Sequence, residues 1–270
     1  MDDRPIGVFD SGLGGLTTVR ELCRLLPEED IVYFGDTGRV PYGSRSRETI
    51  VKYARQDVAF LRTFDLKTIV IACGTVSTTA LDVLAAENPI PVLGVVAPAA
   101  RAAARATRSG SIGLIGTQAS IRSGAYERLI RAENPAARVL AQPCPLFVPL
   151  VENGRFRPGD VVIETVAAEY LAPLREAGVD TLVLGCTHYP LLEEVIGAYM
   201  GPEVRLINSG AEGARAAADC LRERDALAGP GRGSCRCFVS DRQEDFSRLA
   251  STFLGWDVAQ AVEQVDISQY

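Results

Sequence analysis

Lysine is almost missing from this chain. Lys52 and Lys67 are the only two among 28 basic residues, the rest being arginine. A pyridoxal-phosphate enzyme needs a lysine for its Schiff base. Lys52 sits in a polar, helix-like stretch and Lys67 just ahead of a buried strand, so neither is placed for one. Histidine is scarcer still, with His188 alone. Seven cysteines stand at 23, 73, 144, 186, 220, 235 and 237, with no Cys-x-x-Cys pair. A structural zinc site wants two such pairs or a Cys/His set, and Cys235-x-Cys237 supplies neither, so no metal is expected. Long apolar runs are also lacking. The longest stretch without a charge is residues 68–81, shorter than a membrane span requires. Positive charge is in deficit, 28 basic against 34 acidic residues for a net −6. Such a surface repels phosphates, which sets aside nucleic acid and anionic membrane as principal partners. The opening Met1-Asp2-Asp3-Arg4 is acidic and leads straight into a strand pattern, unlike a signal peptide. The chain reads as cytoplasmic, with its cysteines as free thiols.

What is present is ordinary globular material, 270 residues with 47% hydrophobic and 23% charged. Short β-branched runs at residues 6–9, 31–34, 68–72 and 92–96 read as buried strands, and 16–26, 46–64 and 77–86 as helices between them. The second half repeats the rhythm, with strands at 112–115, 139–142, 181–184 and 204–207 and helices at 120–132, 160–177 and 191–200. This alternation predicts parallel sheet covered by helices. Two echoes point to duplication. Ile6-Gly-Val-Phe-Asp-Ser11 resembles Ile112-Gly-Leu-Ile-Gly-Thr117, and Thr68-Ile-Val-Ile-Ala-Cys73 resembles Thr181-Leu-Val-Leu-Gly-Cys186. The expected architecture is two pseudo-symmetric α/β domains with a cleft between them. Residues 1–97 form the first, completed by 208–270, and 98–207 form the second. Residues 228–234 are glycine-rich and read as a flexible loop. A strand at 237–240 and a helix at 244–254 then return to the first domain.

Ligands of open parallel sheets bind beyond the carboxyl ends of the strands. Asp10-Ser11, Asp36-Thr37, Cys73 and Cys186-Thr187-His188 all occupy such ends. Each of the two cysteines leads into a helix pattern, where the helix dipole lowers a thiol pKa. A single cysteine in an apolar run is often only a small core residue. Two at matching positions of related halves place a thiol on each side of one cleft. Gly12-Leu-Gly-Gly15 lacks the dinucleotide-binding spacing and reads as a tight turn that lets a small ligand approach backbone N–H groups. Pro41-Tyr42-Gly43 reads as a turn and Glu152 as part of a solvated loop. His188, two residues after Cys186, is placed to handle protons.

Phe9-Asp-Ser-Gly-Leu-Gly-Gly-Leu16, Gly35-Asp36, Pro41-Tyr-Gly43, Ala72-Cys-x-Thr75 and Leu184-Gly-Cys-Thr-His-Tyr-Pro190 together resemble the glutamate racemases. The likeness runs through Phe238-Val-Ser-Asp241 to the closing residues 267–270. It implies a cofactor-independent enzyme of two pseudo-symmetric domains, acting on glutamate and supplying D-glutamate for peptidoglycan. By resemblance, Cys73 deprotonates the D-enantiomer and Cys186 the L-enantiomer, Asp10 and His188 assist them, and Glu152 supports His188. The same resemblance puts Asp10, Ser11, Tyr42, Gly43, Gly74, Thr75, Thr187 and His188 at the substrate. A homodimer is the one protein partner left open.

Two positions depart from the family pattern. Gly74 stands where asparagine is common, which removes an amide from the substrate's head and leaves neighbouring hydroxyls or water to replace it. Gly74→Asn is accordingly expected to fold and to alter KM. Asn208 stands where aspartate is usual and reads as structural. A racemase for aspartate or another small amino acid, or an amino-acid binding protein without catalysis, are the competing readings.

Overall fold

The computed structural model describes residues 1–241, 243–256 and 262–270. The chain begins β1 (Ile6–Asp10), α1 (Leu16–Leu25), β2 (Ile31–Gly35), α2 (Arg47–Leu61), β3 (Thr68–Ile71), α3 (Gly74–Thr79), α4 (Leu81–Glu87), β4 (Val92–Gly94) and α5 (Val96–Ala106). It continues β5 (Ser111–Gly116), α6 (Gln118–Arg122), α7 (Ala125–Glu133), β6 (Arg138–Pro143), α8 (Phe147–Glu152), α9 (Val161–Glu176), β7 (Thr181–Leu184), α10 (Glu193–Met200), β8 (Arg205–Asn208) and α11 (Ser209–Glu223). It closes with β9 (Cys235–Val239), α12 (Gln243–Leu254) and β10 (Val262–Gln264).

These strands make two parallel sheets, β10-β9-β2-β1-β3-β4 and β6-β5-β7-β8. Strands β1–β4 and β5–β8 therefore follow one order, in which β1 corresponds to β5 and β3 to β7. Both sequence echoes fall on those corresponding strands, so Cys73 and Cys186 leave their sheets at equivalent points. Every residue of β1, β2, β3 and β7 is buried, which is why they read as unbroken apolar runs: a parallel sheet is covered on both faces. Side-chain caps start several covering helices. Ser46 accepts from the Thr49 N–H ahead of α2, and Asp160 accepts from the Val162 N–H ahead of α9.

Several boundaries differ from the pattern reading. The strand expected over residues 92–96 stops at Gly94, because Val95 already has helical φ and ψ and opens α5. The single helix expected over 120–132 is two, divided at Gly124, whose φ of 62° no helix accommodates. α5 and α11 went unread because both bury faces made mainly of alanine, which stands out less than large apolar residues. α11 packs tightly against α1 and the residue that opens α5. A Cβ added at Gly210 would stand 2.6 Å from Thr18 Oγ1, and one at Gly213 would stand 2.6 Å from Val95 Cγ1.

Asn208 is structural, as expected. Its Oδ1 accepts from the Ala211 N–H at 3.1 Å and its Nδ2 donates to Glu193 at 2.9 Å. The glycine-rich 228–234 segment is tethered rather than free. Ala228 N–H donates to Glu29, Gly229 N–H to Asp3 and Ser234 N–H to Asp30. Lys67 is buried beneath that segment, ion-paired with Glu29 and donating to the carbonyls of Asp2 and Ala226 at 2.6 and 3.0 Å.

Candidate active site

A cavity of about 430 Å³ opens beyond the carboxyl ends of both sheets. The first sheet's side contributes Ser11, Tyr42, Gly43, Cys73, Gly74 and Thr75 to its wall, and the second contributes Glu152, Cys186, Thr187 and His188. Ten of the eleven residues that the resemblance places at the catalytic or substrate site thus meet at one place. Asp10 is the exception. It is 1% exposed and lies beneath the wall, so it is not placed to touch a substrate. Its Oδ2 accepts the N–H groups of Gly15 at 3.0 Å and Gly12 at 3.3 Å. The 12–15 turn therefore spends those N–H groups on Asp10 and not on a ligand, which corrects the sequence reading.

The two thiols have opposite neighbours. Cys73 precedes α3, is 4% exposed, and donates to Ser11 Oγ at 3.4 Å. Burial first, and the charge of Asp10 second, push its thiol up to about 12. The helix-dipole expectation has the wrong sign here. α3 has six residues, and its small dipole loses to desolvation and a nearby carboxylate. On the other wall, His188 Nδ1 lies 4.0 Å from Cys186 Sγ, and its Nε2 lies 2.9 Å from Glu152 Oε1. Glu152 is not in a loop but ends α8, which aims its carboxylate at the ring. Burial, the largest single influence on His188, disfavours its charge. Hydrogen bonds to Cys186 and Glu152, with their charges, outweigh it and carry the imidazole up to about 10. At neutral pH a cation stands beside Cys186 and an acid group beside Cys73.

Tyr42 lines the cavity while its hydroxyl is committed elsewhere. That hydroxyl donates to the buried Asp36, with Asp57 Oδ2 at 3.1 Å. Arg39 bridges the same two carboxylates at 2.5 and 2.9 Å, and Ser240 donates to Asp36 at 2.7 Å. Burial and the charge of Asp36 hold Asp57 well above the usual carboxylate range. This network anchors the 36–44 strap that forms one lip of the cavity.

Where the halves meet, bulk is excluded. A Cβ at Gly14 would lie 2.5 Å from His188 Nδ1, and one at Gly74 would lie 2.7 Å from the Gly185 carbonyl oxygen. Gly74 is thus a close-approach residue between backbones, not a vacancy in the substrate's contacts. Across the same seam Thr75 and Thr117 hydroxyls lie 3.1 Å apart, and Thr17 donates to the Thr187 carbonyl at 2.9 Å. Thr117 and Gln118 line the cavity and were missed in the sequence. The signal was available, since Thr117 ends the echo of the strand that Ser11 ends. Cys144 also lines the cavity, its thiol raised by burial. No group of three or more His, Cys, Asp or Glu suited to a metal occurs among the described residues. None of their helices is long and apolar enough to cross a membrane.

The Asp/Glu/Hydantoin racemase family model matches residues 9–217. The glutamate racemase of Geobacter metallireducens is 49% identical over 256 residues, covering 94% of each chain. Among solved structures, a glutamate racemase isoform from Bacillus anthracis superposes with a TM-score of 0.93 at 38% identity, covering 98% of both chains. The glutamate racemase of Francisella tularensis, in complex with D-glutamate, gives 0.92 at 38% identity and full coverage of both.

Proposed function

Since the chain belongs to the Asp/Glu/Hydantoin racemase family, we propose that it interconverts L- and D-glutamate without a cofactor, with Cys73 and Cys186 as acid and base on opposite faces of the substrate. The observation that carries this reading is the pair of thiols at equivalent strand ends on facing walls, each with its own polar partner.

Inversion at Cα removes a proton from one face and returns one to the other. With L-glutamate bound, Cys186 as thiolate takes the Cα proton while Cys73 gives its thiol proton to the opposite face. D-glutamate leaves behind a Cys186 thiol and a Cys73 thiolate. D-glutamate reverses every step. The His188 cation, held by Glu152, supports negative charge on Cys186. Asp10 opposes negative charge on Cys73. The Ser11, Thr75 and Thr187 hydroxyls and the N–H groups opening α3 are the donors for the substrate carboxylate, in a site where dry, fixed dipoles count most. Tyr42 and Gly43 shape the lip. D-glutamate made this way feeds peptidoglycan synthesis.

The close approach of the Gly185 carbonyl accounts for Gly74, so that position carries no argument for aspartate. A binding protein has no use for a thiol on each wall. Chiral chromatography of L-glutamate and L-aspartate incubations, with and without chelator, tests the proposal. D-glutamate formation unaffected by chelator is the expected outcome. Faster turnover of aspartate, or activity only with added metal, would overturn it.

A further inference from the structure

A second cavity, of about 470 Å³, lies behind the first along the same seam. Helix α3 joins the two, since Cys73, Gly74 and Thr75 line the first while Ser77, Thr78 and Thr79 line the second. The 42–44 turn at the lip likewise hands on to Arg45 and Arg47, and residues 117–118 hand on to Arg122. Four arginines line this space against one acidic residue, Asp82. Arg45 and Arg47 come from the first half, Arg122 and Arg128 from the second.

That concentration of positive charge runs against a chain whose net charge is −6. Some arginines elsewhere are paired, as Arg55 with Glu87 and Arg131 with Glu127. No ion pair joins any of these four to a carboxylate among the described residues; Arg128 gives one N–H to the Ser123 carbonyl at 2.7 Å. Like charges facing each other across a seam oppose its closure. An oxyanion between them reverses the sign, because each guanidinium fork matches two oxygens of a phosphate-type group. Arg47 also stands in the first turn of the 15-residue α2, whose dipole adds positive potential at the same place.

We propose that this cavity binds a free multivalent oxyanion of the phosphate type, which bridges the two halves and holds the seam shut behind the active cavity. The coupling is short. The Thr75–Thr117 contact and the approach of Gly43 to Thr117 lie between the two cavities. Binding at this site does not depend on racemisation, so the two readings can fail separately.

Calorimetric titration with inorganic diphosphate, at ionic strength fixed with potassium chloride, tests it. One saturable site is expected in the wild-type protein. Arg45→Gln and Arg122→Gln, from opposite halves, should each weaken it at least tenfold, as loss of a charge-assisted contact does. Arg55→Gln, an exposed arginine paired elsewhere, should bind as wild type and controls for general charge. No saturable heat beyond that of chloride, or equal affinity in Arg45→Gln and Arg122→Gln, overturns the proposal. The four arginines are exposed, so their variants should fold, and circular dichroism verifies that they do.

Discussion

Replacing Glu152 by glutamine should lower the pKa of His188 while leaving its ring in place. The imidazole stands at about 10 against an ordinary 6.5. That displacement corresponds to about 5 kcal/mol in favour of the charged ring, at 1.36 kcal/mol per pH unit. A hydrogen bond between charged groups contributes about 1.5–3 kcal/mol. The Glu152 side chain is 37% exposed, so solvent takes part of that and the lower end applies. Glu152→Gln should therefore bring His188 down by about one pH unit, with the Cys186 contact keeping it above its ordinary value. The sign for stability follows from the raised folded value. The contribution is complete below the unfolded pKa of 6.5 and disappears as pH rises through about 10. Wild type and Glu152→Gln should thus differ most in denaturation midpoint near pH 6 and converge towards pH 10. Because His188 is the only histidine, one imidazole signal in a proton–nitrogen NMR titration reads the pKa without assignment. A wild-type value near 6.5, or an unchanged value in Glu152→Gln, would refute this account of the Cys186 wall.

Three other perturbations follow from the same geometry. Gly74→Ala places a methyl 2.7 Å from the Gly185 carbonyl oxygen, an overpacking that costs about 1–3 kcal/mol. It should cut kcat/KM for glutamate roughly tenfold, and Gly74→Asn meets the same clash; wild-type kinetics in Gly74→Ala would contradict this. Cys73→Ser and Cys186→Ser should each nearly abolish racemisation while Cys23→Ser and Cys220→Ser stay active, as a coupled optical assay checks. Tyr42→Phe removes a donor from the buried Asp36–Asp57 pair and should cost about 1–3 kcal/mol of stability, visible as a lower denaturation midpoint.

The fold was legible because parallel strands buried on both faces leave unbroken β-branched runs, and 181–184 matches β7 to the residue. α5 and α11 were passed over because their buried faces are built mainly of alanine and glycine, which stand out less than large apolar residues. β10 went unread because three residues make no pattern. At the site, the strand-end rule found the thiols and His188 from position alone. It could not say that Asp10 faces inward to its own turn, nor that the Tyr42 hydroxyl points away to Asp36. Those facts depend on neighbours distant in sequence. The sign of the Cys73 shift was misjudged because a helix start is visible in sequence while desolvation and the Asp10 charge are not. Gly74 looked like a lost contact, and only the approach of Gly185 from the other half explains it.

The central claim is that two thiols act on opposite faces of one carbon. Incubating the protein with L-glutamate in deuterium oxide, and sampling early by mass spectrometry and chiral separation, tests it most directly. The account predicts D-glutamate carrying one solvent deuterium at Cα while the remaining L-glutamate stays unlabelled, because Cys186 can return only the proton it took. Deuterium entering L-glutamate as fast as it enters the product, or D-glutamate keeping the original proton, would mean a single base and contradict it.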